Sequence, residues 1–367
     1  MRALQQAGLR VVAAAPRDRH ARQLEEAGFV FAPLSMSLVG AGPLEAARTV
    51  AGYLRLYRHE RPVLVHHFAA KAIVLGSLAA RVAGVTSVVN TLPGRGNALA
   101  SLEGPGGRTL ALVIRAALRP PARITFQNEA DRALFVGRGL VDHERTALIP
   151  GSGIDTERFC PSSAADRPAA APTRFLMYGR MLWDKGVREY CEAATILAAT
   201  GCAECRLVGG AAPGNPTGVD PEWISNPGVI PGEWLLARTA ESGVAWFPHA
   251  EDVRPHLAWA DVVVLPSYYR EGLPRSLLEA LACGKAIVTT DVPGCRDCVE
   301  PGRNGIVVPP RDVAALAAAM AQLAAEPERV RAMGRRSREL ALARFTDAHA
   351  VEGYFAEYRR AGLDAVL

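Results

Sequence analysis

Glu271 and Glu279 stand eight residues apart in the run Ser267-Tyr-Tyr-Arg-Glu-Gly-Leu-Pro-Arg-Ser-Leu-Leu-Glu-Ala-Leu-Ala-Cys-Gly284. The apolar stretch before it predicts a buried strand ending at Leu265, and the Gly-Leu-Pro turn predicts a helix opening near Arg275. Eight residues cover a little over two helical turns, so both carboxylates can border one pocket. Free N–H groups at a helix start, together with its dipole, bind phosphate. A diphosphate could therefore dock there, with one glutamate reaching a sugar and the other a ribose. On the pair alone, a helix-start charge and a solvated face residue fit equally well.

These residues must be held by a regular framework, and the chain supplies one. Short β-branched runs alternate with longer helical stretches, the pattern of parallel sheets covered by helices on both faces. In the first half, strands are expected at 9–14, 63–67, 87–90, 123–127 and 146–149, with helices such as 44–59 and 72–83 between them. The proline-rich, aperiodic segment 161–172 reads as a linker. Further strands are expected at 174–178, 204–208, 244–247, 262–265 and 286–289, then a helical region from Val313 to about Ala361, broken near Pro327 and Phe345. Two doubly wound units predict a cleft at their strand carboxyl ends. Met1 to Gly8 reads as the back end of a helix entering a second strand, so a first strand and its loop are expected to be missing.

The 367 residues suit two domains, and 49% hydrophobic with 22% charged residues excludes a disordered or fibrous chain. Apolar runs stop well short of the roughly 20 residues of a membrane span. Seven scattered cysteines point to a reduced, cytoplasmic setting rather than a disulfide scaffold. Net charge is +8 over residues 1–160 and −3 over the rest. That basic half could meet an anionic membrane face or a phosphate-bearing acceptor; its dispersed arginines without a recognition motif argue against nucleic acid.

The run from Ser267 resembles the E-x7-E signature of the GT4 family of retaining glycosyltransferases. Thr289-Thr-Asp-Val-Pro-Gly-Cys-Arg-Asp-Cys-Val-Glu-Pro-Gly-Arg-Asn-Gly-Ile-Val-Val-Pro309 is similar to the segment that follows it in enzymes building capsule, O-antigen and glycoprotein glycans on lipid carriers. Tyr178-Gly-Arg-Met-Leu-Trp-Asp-Lys-Gly186 resembles the family's GR-x-x-x-x-KG segment, and Phe126-Gln-Asn-Glu-Ala-Asp-Arg and Pro150-Gly-Ser-Gly-Ile-Asp155 resemble its interdomain pieces.

The resemblance implies an α/β, GT-B fold: two Rossmann-like doubly wound domains facing a cleft, with an acceptor domain at 1–160, a linker at 161–173, a donor domain at 174–345 and a final helix at 346–367 packing on the first domain. It implies catalytic roles for Glu271, on the transferred sugar, and for Arg180 and Lys185, facing the donor diphosphate, where fixed cations stabilise a departing anion. Glu279 would accept from the ribose diol. Gly272, Leu273, Arg275, Ser276 and Leu277 would line the phosphates, Pro274 having no N–H to give. The loop with His249, Ala250 and Val253 would hold the base. His67 and Asn90 at strand ends, with Asn128 and Ser152, are candidates for the acceptor, although structural turns and a satisfied histidine fit the first two as well.

The expected activity is metal-independent, retaining transfer of a hexose or N-acetylhexosamine from a UDP-sugar to a lipid-diphosphate-linked glycan, at the inner face of the plasma membrane and with no further cofactor. A UDP-N-acetylglucosamine 2-epimerase and a catalytically silent nucleotide-sugar binder are the alternatives.

Overall fold

The computed structural model describes residues 1–18, 20–36, 42–94, 106–119, 121–162, 171–198, 201–210, 228–248 and 250–363. The chain forms two units, Met1–Ile149 together with Val351–Leu367, and Pro150–Ala350.

In the first unit, α1 (Arg2–Gln6), β1 (Val12–Ala15), α2 (Ala21–Glu26) and β2 (Val30–Pro33) come first, with β1 and β2 paired in parallel as a two-stranded sheet. There follow α3 (Pro43–Glu60), β3 (Val65–Phe68), α4 (Ala70–Ala83), β4 (Val88–Leu92), α5 (Gly107–Ala117), β5 (Arg123–Phe126), α6 (Glu129–Gly137) and β6 (Thr146–Leu148). Their strands form a parallel sheet in the order β3-β4-β5-β6, and each pair of neighbours needs a crossover, which the helices provide. Thr49, Tyr53 and Tyr57 recur every four residues and form the buried stripe of α3. Pro43 opens that helix, where an N–H is not needed, and Arg61 ends it in the left-handed conformation. Because side chains alternate along a strand, Val65 and His67 share one face with Tyr57, while His66 points to the other.

The second unit carries β7 (Thr173–Tyr178), α7 (Val187–Ala198), β8 (Ala203–Val208), α8 (Gly232–Ser242), β9 (Ala245–Phe247), α9 (Arg254–Trp259), β10 (Val262–Leu265), α10 (Arg275–Ala282), β11 (Ala286–Thr290) and β12 (Gly305–Val308). Then come α11 (Val313–Ala325), α12 (Pro327–Arg344) and α13 (Asp347–Tyr358). All six strands are parallel, in the order β12-β11-β10-β7-β8-β9. Helices pack on both faces, so β10 reads as an unbroken apolar run, with all four residues buried. Strand order runs outward in opposite directions from the adjacent pair β7 and β10. Such a switch point opens a crevice at the carboxyl ends of the two strands, and here those ends lead into Arg180 to Lys185 and into Ser267 to Glu271.

Two strands escape the sequence reading. Val30–Pro33 is short and ends on a proline, and Gly305–Val308 lies within a stretch that reads as loop. Other boundaries move by a few residues; β1 begins at Val12 instead of Leu9. The division expected at residue 160 falls after Ile149. The cause is local: the Ile154 N–H donates to the Phe345 carbonyl, and Arg338 donates to the carbonyls of Thr156, Phe159 and Ala282, tying 150–160 into the second unit. Of the expected linker, 163–170 lies outside the described residues. No helix among the described residues is long and apolar enough to cross a membrane.

Candidate functional site

At the β10 end of the crevice, the turn from Pro266 to Glu271 is bolted to the turn that holds Lys185. Ser267 Oγ donates to the Asp184 carbonyl at 3.1 Å, the Tyr268 N–H donates to the same oxygen at 3.0 Å, and Thr290 Oγ1 donates to the Ser267 carbonyl. Two glycines make this approach possible. A Cβ on Gly186 would lie 2.1 Å from the Pro266 carbonyl oxygen, and one on Gly294 would lie 1.9 Å from that of Gly272; both residues also have positive φ.

The result is a contact between Lys185 Nζ and Glu271 Oε1, with the two side chains only 14% and 12% exposed. Ser267 Oγ lies 3.4 Å from the same carboxylate oxygen. Asp184 sits beside the pair with its Oδ1 buried and unpartnered, and burial raises its pKa above the ordinary carboxylate range, against the pull of Lys185. Arg180 is exposed, within electrostatic reach of Asp184.

Glu279 lies eight residues on, inside α10, where every residue from Leu277 to Ala282 is buried. Arg275 Nε donates to Glu279 Oε1 at 2.9 Å, and the Tyr178 hydroxyl, at the end of β7, lies 3.1 Å from Oε2 and 2.7 Å from the Ser276 carbonyl. Burial raises the Glu279 pKa, with Arg275 acting in the opposite direction. Pro274 precedes the helix and provides no side-chain cap, so the N–H groups of Arg275 and Ser276 take no acceptor among the described residues, while those of Leu277 and Leu278 bond to the Pro274 carbonyl. Gly272 and Leu273 lie on the turn leading into this helix start. The structure thus brings Lys185, Glu271, Glu279 and the open start of α10 into one unit, on the two strands of the switch point.

The proposed base loop is only partly visible, since His249 lies outside the described residues. Ala250 and Val253 turn their side chains into the core beside Leu257, which leaves backbone as their means of contact. Ser152 is exposed in the second unit.

In the first unit the sequence candidates are used internally. His67 is 5% exposed and Asn90 0%. His67 Nε2 is 2.7 Å from the Tyr57 hydroxyl and its Nδ1 2.9 Å from Asn90 Oδ1, while Ser77 Oγ donates to the same Asn90 oxygen and Asn90 Nδ2 donates to the Arg123 carbonyl. This is the satisfied-core arrangement, not an exposed strand end, because both residues fall on the face covered by α3 and α4. Burial depresses the His67 pKa to about 4 and that of neighbouring His66 to about 3. Asn128 is likewise internal: it caps α6 by accepting from the Asp131 N–H at 2.8 Å. Two cysteine pairs have the Cys-x-x-Cys spacing, Cys202 with Cys205 and Cys295 with Cys298, but no group of three or more His, Cys, Asp or Glu among the described residues could hold a metal ion.

Sequence reasoning missed Tyr178, Ser267, Asp184 and Gly294. Tyr178 could have been found, because a polar tip on the last residue of a buried strand must seek a partner at the crevice. The others depend on how turns distant in sequence meet.

Comparison with known proteins agrees with this geometry. Residues 172–326 match the family described as glycosyl transferases group 1, and residues 1–151 match the glycosyl transferase 4-like domain. The N,N'-diacetylbacillosaminyl-diphospho-undecaprenol alpha-1,3-N-acetylgalactosaminyltransferase of Campylobacter jejuni is 26% identical over 79% of this chain and 75% of that protein. Glycogen synthase of Mycobacterium tuberculosis is 30% identical over 51% of this chain, which spans 42% of that protein. Among solved structures, Anabaena Alr3699/HepE in complex with UDP and glucose superposes with a TM-score of 0.74 at 19% identity, covering 96% of this chain and 92% of the other. With two adjoining glycosyltransferase domains spanning most of its length and two parallel-sheet α/β units, the chain belongs to the GT4 family of glycosyltransferases with the GT-B fold.

Proposed function

We propose that this enzyme transfers a hexose or N-acetylhexosamine, with retention of configuration, from a UDP-sugar to a lipid-diphosphate-linked glycan in polysaccharide biosynthesis. The observation that carries the reading is the Lys185 and Glu271 contact beside the uncapped start of α10, with Glu279 two turns further along. The donor diphosphate would occupy the N–H groups of Arg275 and Ser276 and draw Lys185 from Glu271 to phosphate. Glu271 would then be released to accept hydrogen bonds from the sugar hydroxyls, and Glu279 from the ribose. As the sugar–phosphate bond breaks, negative charge grows on the leaving diphosphate, where Lys185, Arg180 and the helix dipole stabilise it more than in the ground state. The acceptor oxygen bonds to the anomeric carbon on the face the phosphate leaves, and its proton passes to the departing phosphate oxygen.

The UDP bound by the Anabaena protein and the lipid-linked acceptor in the name of the Campylobacter relative support the choice of substrates. The basic first half, +8 over residues 1–160, supports residence at the inner face of an anionic membrane. The test is thermal stabilisation by UDP: ligand at a hundredfold over its Kd adds about 2.7 kcal/mol. Glu279→Gln should reduce that shift while leaving the protein folded. An unaltered UDP shift in a folded Glu279→Gln protein would refute this site.

A further inference from the structure

The wall of one cavity in the second unit collects positive charge that the fold leaves unanswered. The cavity has a volume of about 400 Å³ and lies between α9 and the end of α10, with the segment at residues 158–162 completing its wall. Lys185, Glu271 and Glu279 take no part in it, and Cys283 places it just past the last turn of α10, at the other end of that helix from the uncapped start.

Three cations line this cavity, Arg158, Arg254 and Lys285, against the single carboxylate of Asp252. Arg254 is held in place by that carboxylate: its Nε and Nη2 donate to Asp252 at 2.9 and 2.6 Å, and its Nη1 keeps no acceptor among the described residues. Arg158 is exposed and has no ion pair among the described residues. Lys285, in the turn from α10 to β11, is half-buried, and its ammonium has neither an ion pair nor a hydrogen bond among the described residues. Burial pulls its pKa below the ordinary lysine value, with Cys283 and Asp261 acting in the opposite direction. Covering a charge without a partner is costly, and an anion in the cavity would repay it. Lys185 and Arg336, also partly covered, are each paired with a glutamate. The negative end of α10, which would repel an anion, is already met by Arg338, whose Nη1 donates to the Ala282 carbonyl at 2.8 Å.

We propose that this cavity is a second ligand site, for a soluble phosphomonoester such as a sugar phosphate, with the phosphate among Arg158, Arg254 and Lys285 and the carbon skeleton against Pro255 and Ala258. Its volume falls in the range of about 300–1,000 Å³ of small-molecule pockets. Guanidinium forks and an ammonium are the side chains that match phosphate oxygens. The site goes beyond the proposed transfer reaction and does not depend on which sugar is moved.

The test is thermal stabilisation of the intact protein by glucose 6-phosphate, against glucose at matched ionic strength, with UDP at saturation so that the donor's phosphate positions are filled. The wild type should respond to glucose 6-phosphate and not to glucose. Arg158→Ala and Lys285→Met should each bind roughly tenfold to a hundredfold more weakly, the loss of one hydrogen bond to a charged group, whereas Arg331→Ala, on α12 and paired with Glu328, should bind as wild type. Cys160, exposed on the cavity wall, locates the ligand: glucose 6-phosphate should slow its alkylation by iodoacetamide, followed by mass spectrometry, and leave that of the exposed Cys202 unchanged. Without ligand, Lys285→Met should melt no lower than wild type, because it removes an unpaired charge. No preference for glucose 6-phosphate over glucose, an equal response in folded variants, an unprotected Cys160, or a Lys285→Met protein that melts lower would each overturn the assignment. A protein that ignores UDP while glucose 6-phosphate protects Cys160 would sink the donor reading and leave this site standing.

Discussion

Polar residues gather at strand ends in both units, but they are used in opposite ways. In the first unit, His67, Asn90, Tyr57 and Ser77 satisfy one another, and all are buried. In the second, the turns after β7 and β10 bring Lys185 to Glu271 and leave the N–H groups of Arg275 and Ser276 without protein acceptors among the described residues. A closed network of this kind stabilises a core, because each buried group would be costly to leave unpaired. An open arrangement stores binding capacity. Polar groups near strand ends therefore do different work according to whether they lie on a helix-covered face of the sheet or in the turns beyond it.

The sharpest test of that contrast is Lys185→Ala. If the lysine stabilises the leaving diphosphate, steady-state kinetics should show a loss of kcat/KM of about a hundredfold to a thousandfold. Removing half of a nearly buried ion pair also strands Glu271, so thermal stability should fall as well. Activity retained at wild-type level would place the second unit's cluster with the first unit's, as architecture only.

Acid should pick out the first unit. His66 and His67 titrate near 3 and 4 in the folded protein, below the roughly 6.5 of an unfolded chain, so between those limits the unfolded state binds more protons. Stability contributed by the neutral imidazoles is then full above about pH 6.5 and declines as pH falls towards the folded values. Melting curves followed from pH 7.5 to 4.5 should show the first unit losing stability first, by an amount of order a few kcal/mol. His67→Gln should flatten that dependence. Asn90→Ala should cost about 1–3 kcal/mol of stability with UDP binding intact; a large loss of UDP binding in a well-folded Asn90→Ala protein would erase the distinction between the two networks. The smallest effect is expected from Tyr178→Phe, which removes one hydroxyl from Glu279 and from the Ser276 carbonyl, about 1 kcal/mol in stability.

The sequence displayed the alternation of strands and helices clearly, since β10 is an unbroken apolar run and α3 a four-residue stripe. Glu271 and Glu279 were legible because one turn and one helix separate them. The Lys185 contact was less so: it depends on Gly186 and Gly294 letting backbone pass within a carbonyl's reach, which no local pattern encodes. His67 and Asn90 misled for a related reason. A polar residue at a strand end looks like a crevice residue until the helices that cover it are in place, and Tyr57, its partner from ten residues upstream, reads as ordinary helix core.

The return of Val351–Leu367 to the first unit has a consequence for biosynthesis. His66 Nδ1 meets the Tyr358 hydroxyl at 2.8 Å, and Arg123 pairs with the buried Glu357. One face of the amino-terminal sheet therefore waits, during translation, for residues made some two hundred positions later. The middle of the chain is contiguous from Pro150 to Ala350 and draws no residue from the segment after it, so a chain released at residue 350 would carry a complete second half and an adhesive, unsealed first.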